Sequence, residues 1–82
     1  MNEKSFLTSD KIYCPYLLAM VFNDRLDFIG VYKEGNKVTF EFSPEQKAKD
    51  LINSMEMKCE PQIPIKDVFG AIDYFWKQVA GD

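Results

Sequence analysis

Residues 26–42, LDFIGVYKEGNKVTFEF, hold the pattern that decides the fold. From Lys37 to Phe42 the chain alternates strictly, with Val38, Phe40 and Phe42 on one side and Lys37, Thr39 and Glu41 on the other, which is the period of a half-buried β-strand. Leu26 to Lys33 is likewise rich in aromatic and β-branched residues and reads as a second strand. Gly35-Asn36 between them suits a two-residue turn. That turn pairs Glu34 with Lys37, Lys33 with Val38, Tyr32 with Thr39, Val31 with Phe40 and Ile29 with Phe42, building one continuous apolar face. A three-residue loop would instead bring Phe28, Gly30 and Tyr32 to that face.

On the N-terminal side, Ser5 to Thr8 is a short extended segment, and Thr8, Ser9 and Asp10 offer three capping side chains, with Thr8 or Ser9 as the cap. Ile12, Tyr13, Tyr16, Leu17, Met20 and Val21 then recur at helical spacing as far as Phe22. Pro15 interrupts this pattern, because proline is tolerated only in the first turn and costs about 3 kcal/mol further in. Either the helix starts at Cys14 with Pro15 near its first position, or a helix from Asp10 carries a distorted first turn and a half. The spacing of the apolar residues favours the second. Asn23-Asp24 ends the pattern.

On the C-terminal side, Ser43-Pro44-Glu45-Gln46 has the order of a capping box with proline at the first helical position. Ala48, Leu51, Ile52 and Met55 continue a helix that is expected to end near Lys58. Pro61 to Pro64 reads as extended, with room for a short edge strand at Ile63. Pro64 opens a last helix whose Ile65, Val68, Phe69, Ile72, Phe75, Trp76 and Val79 form one stripe, closed by Gly81. The order β-α-β-β-α-(β)-α gives a single α+β domain over residues 1–82, an antiparallel hairpin covered on one face by helices.

The segments SFLTSD and YCPYLLAM, the strand GNKVTFEF, the helix SPEQKAKDLI and the closing helix VFGAIDYFWKQV together resemble a small bacterial and viral domain family of unknown function, DUF5659. Pro15 departs from the uninterrupted first helix of that pattern. The resemblance covers about Ser5 to Val79 and implies the same order of elements. It implies no catalytic residue, since the family has no established activity.

Composition narrows the function classes. The 82 residues include seven Phe, four Tyr and one Trp, a net charge of -3 and no histidine. The commonest general base and metal ligand is therefore missing. Lysines and the one arginine are scattered, which gives no footprint for a phosphate backbone. The polar start MNEKSF and the lack of a long apolar run point to a cytoplasmic chain with no leader and no membrane association. Cys14 and Cys59 have no CxxC spacing and read as free thiols.

Met55, Met57 and Cys59 are soft donors, but Met55 belongs to a helical stripe and no second ligand cluster exists, so neither metal nor cofactor is expected. Cys14 near a helix N-terminus is a candidate nucleophile that lacks a base, and a small buried hydrophobe is the better reading. Asp24 with Asp27, and Glu45 with Asp50, read as solvated charge. Gly30, Gly35 and Gly70 make no phosphate loop, and Gly70 suits close packing against the sheet. The expectation is a non-catalytic interaction module, homodimeric through the last helix or the hairpin edge, or bound to another protein. Its candidate contact residues are Tyr32, Lys33, Lys37, Thr39, Phe75 and Trp76. Nucleic acid stacking on the open sheet face, with Tyr32, Lys33 and Lys37, is the alternative, opposed by Glu34 and Glu41 on that surface.

Overall fold

A computed structural model describes residues 4–57 and 63–80. It contains strand β1 (Phe6–Thr8), helix α1 (Tyr13–Phe22), strands β2 (Asp27–Glu34) and β3 (Lys37–Ser43), and helices α2 (Glu45–Glu56) and α3 (Ile65–Ala80). The strands form one antiparallel sheet in the order β1-β3-β2, so the alternating strand β3 is central. The α+β architecture expected from the sequence is the one observed. Cys59, the end of α2 near Lys58 and the stop at Gly81 lie outside the described residues. Ile63 packs against the core and joins no strand among the described residues, while residues 61 and 62 of the expected extended segment lie outside them.

The Gly35-Asn36 turn sets the hairpin register for five pairs, Glu34 with Lys37 through Gly30 with Glu41. Gly35 takes φ of +60°, which glycine adopts without a Cβ penalty. Beyond Gly30 the expected register fails. A bulge between Phe28 and Gly30 pairs Phe28, not Ile29, with Phe42. One extra residue reverses the facing of what precedes it. Phe28 therefore turns inward, with its ring 5.6 Å from that of Phe42 and edge-on to Tyr74 at 5.9 Å, whereas Ile29 is exposed.

Helix α1 begins at Tyr13, close to the late-start reading rather than the favoured start at Asp10, and Pro15 is its third residue. In that first turn an amide has no obligatory partner within the helix, so the missing N–H costs little. The side chain that satisfies the first amides is Asp10, not Thr8 or Ser9: its Oδ1 accepts from the backbone N–H of Ile12 at 2.7 Å and of Tyr13 at 2.9 Å. Thr8 Oγ1 in turn accepts from the Asp10 N–H at 3.2 Å. At the other end Asp24 N–H donates to Val21 O at 3.0 Å and Arg25 N–H to Met20 O at 2.8 Å. This is the Schellman pattern, with Asp24 at φ of +60° where glycine is usual. Cys14, Leu17, Leu18, Ala19 and Met20 are all buried, so α1 is covered on more sides than the single apolar face read from its spacing.

Ser43 is the last residue of β3, and the N-cap of α2 is Pro44 with no side-chain cap, so the expected capping box does not form. The Ser43–Pro44 peptide is cis. Gln46 instead donates to Asp50 Oδ1 at 2.9 Å, and Glu45 N–H donates to Lys4 O at 2.8 Å, tying α2 to the approach of β1. Ala48 and Ile52 face the core.

Helix α3 starts where Pro64 O accepts from the amides of Asp67 and Val68. It runs antiparallel to α1: Asn23 Nδ2 at the end of α1 donates to Asp67 Oδ2 at 3.3 Å in the first turn of α3. Gly70 meets the Phe22 ring so closely that a Cβ would lie 2.8 Å from Phe22 Cε2. The close packing expected of Gly70 is thus against α1, not the sheet. Phe75 stacks on Phe40 at 5.5 Å, joining α3 to the middle of β3.

The bulge yields a direct expectation. Phe28→Ala should destabilise the protein by about 3 kcal/mol, as for a ring removed from packed surroundings, and Ile29→Ala by no more than about 0.5 kcal/mol, as for a surface change. Urea unfolding of the two variants measures both, and a reversed order would restore the regular register.

Candidate interaction surface

Three surfaces gather the side chains that could meet a partner. The first is built by α3. At 3.6 residues per turn each residue advances about 100° around the helix. Phe75, fixed under Phe40, is 1% exposed and Ala71 is fully buried. Ile65, Phe69, Ile72 and Trp76 form a separate line at i, i+4, i+7 and i+11, and they are 68%, 62%, 38% and 52% exposed. This line is well over a third of a turn from the Gly70 and Asp67 side that touches α1. The apolar arc of α3 is wider than the body of the protein covers, and the surplus is a continuous apolar ridge. Its outer flank is charged, with Lys66, Asp73 and Lys77; the last two form an ion pair at 3.0 Å.

The second surface is the open face of the sheet. Tyr32 and Thr39 are paired there, and Leu7 opposite Glu41 extends it onto β1. Ser5 Oγ donates to Glu41 Oε2 and Tyr32 OH to Glu41 Oε1. These two bonds hold the Glu41 carboxyl below its usual range, the Ser5 bond most strongly, while partial burial opposes them. The same bond to Glu41 raises the Tyr32 hydroxyl above its ordinary value. Tyr32 is thereby tied to a carboxylate at the centre of the face.

The third surface is a groove of about 430 Å³ between the hairpin end, the loop before α1 and the last turns of α3. Val38, Phe75 and Val79 line it, with Lys11, Lys37 and Glu34 also at its walls.

The expected contact residues are thus distributed over separate places. Tyr32 and Thr39 share the open sheet face. Lys33 pairs with Val38 and so lies on the opposite face of β2 from Tyr32. Lys37 and Phe75 meet at the groove, and Trp76 alone stands on the ridge. Phe75 is a core residue, which removes it from any partner contact on the ridge. Ile65, Phe69 and Ile72 replace it there. The signal for them was a stripe of seven apolar positions on a single helix, more than one packed face uses.

The chemistry of Cys14 points away from nucleophilic catalysis. The side chain is fully buried, its thiol donates to Thr8 O at 3.5 Å, and burial together with the nearby Asp10 charge pushes its pKa up to about 12. A helix N-terminus would lower the value, so desolvation prevails. Met55 is part of α2 and Met57 is exposed beyond it. Glu45 pairs with Lys49 at 3.8 Å and Asp50 accepts from Gln46, both on the surface of α2. No helix among the described residues is long and apolar enough to cross a membrane. No family model matches the chain, and neither a curated protein nor a solved structure matches it.

The Glu41 contacts give a pH dependence of definite sign. Because the folded carboxyl titrates below its unfolded value, near 4.5, its stabilisation is present above that pH and is lost as the pH falls through the folded value. Glu41→Gln should lower the urea midpoint at neutral pH and flatten its fall on acidification, and an unchanged acid limb would show that another carboxylate governs it.

Proposed function

We propose that this chain is a non-catalytic, cytoplasmic protein-interaction module whose binding surface is the apolar ridge of α3. The observation that carries the proposal is the line of Ile65, Phe69, Ile72 and Trp76, exposed side by side on one helix. Single exposed apolar residues are ordinary, whereas a contiguous group beside a charged rim is how contact surfaces are built. Aromatic anchors supply most of the energy of such contacts, and Phe69 and Trp76 fill that part. The buried Cys14 thiol suits a reducing compartment.

Nucleic acid remains the competing ligand. Its stacking residue would be Tyr32, but the Glu41 carboxylate bonded to Tyr32 repels phosphate, and Lys33 lies on the other face of the strand. The aromatic is thus apart from one of the two cations that the stacking mode needs.

Affinity purification from the native host, with nuclease treatment, tests the proposal. The unaltered chain should retain a protein in fixed ratio, either a second copy or another chain. A Phe69→Glu/Trp76→Glu variant with unchanged far-UV circular dichroism should lose it by at least about tenfold, as for two central anchors. Equal retention by that variant would overturn the ridge as the binding surface. Nuclease-sensitive nucleic acid lost in Lys33→Ala/Lys37→Ala would favour the competing ligand.

A further inference from the structure

We infer that the groove at the end of the hairpin takes the carboxyl end of another polypeptide, laid parallel to β3 beside Val38 with its terminal carboxylate toward Ser9 and Lys11. The groove shares no residue with the α3 ridge, and the inference stands apart from the reading of that ridge.

An unfinished sheet edge carries the inference. β1 ends at Thr8, opposite Phe40, whereas β3 begins further back, at Lys37. Val38 therefore has Lys33 beside it on the β2 side and no strand residue on the other. Its backbone groups point to that other side. Glu34 and Lys37 close the two-residue turn as a hydrogen-bonded pair, and bonding alternates along an antiparallel ladder. Lys37, Thr39 and Glu41 thus turn their N–H and C=O to β2, and Val38, Phe40 and Phe42 turn theirs away from it. Phe40 and Phe42 meet β1 there. The Val38 N–H and C=O meet no strand partner among the described residues, and Val38 lines the groove. An open strand edge of this kind accepts one more strand.

The place suits a chain that stops. The volume of about 430 Å³ lies within the range of sites that enclose a small ligand, roughly 300–1,000 Å³. β1 occupies the edge of β3 from Phe40 onward, so a segment beside Val38 runs into Thr8 and cannot continue along the sheet. In the direction parallel to β3, the end that meets Thr8 and Ser9 is a carboxyl end. In the opposite direction it would be an amino end, with its ammonium against Lys11.

The charges agree with the first direction. Lys11 lines the groove two residues beyond Ser9 and makes no ion pair among the described residues. The acid next to it, Asp10, has its Oδ1 taken by the Ile12 and Tyr13 amides and does not line the groove. Lys37 and Glu34 stand together at the hairpin end, where they offset one another and leave Lys11 as the unbalanced charge. Val38 and Val79 are half-buried, with Phe75 behind them, and form an apolar side for the last side chain of the peptide.

The probe is an acetylated tetrapeptide, Ac-Ala-Ala-Ala-Leu with a free carboxylate, titrated into the isotope-labelled full chain and followed by amide chemical shifts. A short ligand with one charged contact should bind with Kd near about 1 mM and move the amides of Ser9, Lys11 and Val38. The same peptide ending in a carboxamide should bind at least about tenfold more weakly, and Lys11→Glu should weaken the free acid by as much. Lys11 is exposed, so the circular dichroism of that variant should be unchanged. A spin label on the amino end of the peptide should broaden Asn36 and Lys37 more than Ser9. Equal binding of acid and carboxamide would overturn the carboxylate contact, and broadening strongest at Ser9 would overturn the parallel direction. Octanoate binding as tightly as the peptide would overturn the backbone pairing and with it the polypeptide. Shifts absent from all three amides, or confined to Phe69 and Trp76, would overturn the site.

Discussion

The stack of Phe75 on Phe40 governs the rest of the structure. Phe40 is the middle of the central strand, and Phe75 reaches it from a helix that also packs along α1. A second ring contact, Tyr74 edge-on to Phe28, is made by the neighbouring residue. Two anchors about 100° apart on the helix leave it no freedom to turn. With Phe75 inward, the next residue, Trp76, must point away from the sheet, and Ile65, Phe69 and Ile72 follow it by helical periodicity. The exposure of the ridge is therefore a consequence of the core, and no independent feature of the surface is needed to explain it.

The same economy explains why α1 is so apolar. A chain of this length buries only about 60 to 65% of its unfolded surface. Its core must come from a few elements covered on several sides. α1 has the sheet beneath it, α3 along one side and α2 near its other, and five consecutive or near-consecutive residues disappear from solvent. Asp10 and the Schellman turn at Asp24 satisfy its two ends without burying a charge. Gly70 allows α3 to approach Phe22 closely enough to complete this cover.

Much of this was legible from local pattern. The alternation of Val38, Phe40 and Phe42 and the Gly35-Asn36 turn determine the hairpin, and the proline at residue 64 opens the last helix. What was not legible depended on tertiary competition. Phe28 and Ile29 are both apolar and adjacent, and it is Phe28 that turns inward, where its ring meets Phe40, Phe42 and Tyr74, at the expense of a bulge. Ser43 has the chemistry of a cap but is needed as a strand residue opposite Asp27. The α3 stripe was evident as a whole. Its division into a core half and an outward half was not, because that depends on the side from which α1 packs, and so Phe75 and Trp76 could not be told apart.

The single tryptophan of the chain lies on the ridge, which makes its fluorescence a direct report on the central claim that the ridge stands open in one copy and is covered by association. Emission spectra recorded over a wide range of protein concentration, beside far-UV circular dichroism, provide the measurement. The account predicts a solvent-exposed emission maximum in dilute protein that moves to the blue when the ridge is covered, by a second copy as concentration rises or by the captured chain when it is added, with the circular dichroism constant. A maximum that is already blue in dilute protein, or one that never moves while the protein associates, would contradict it.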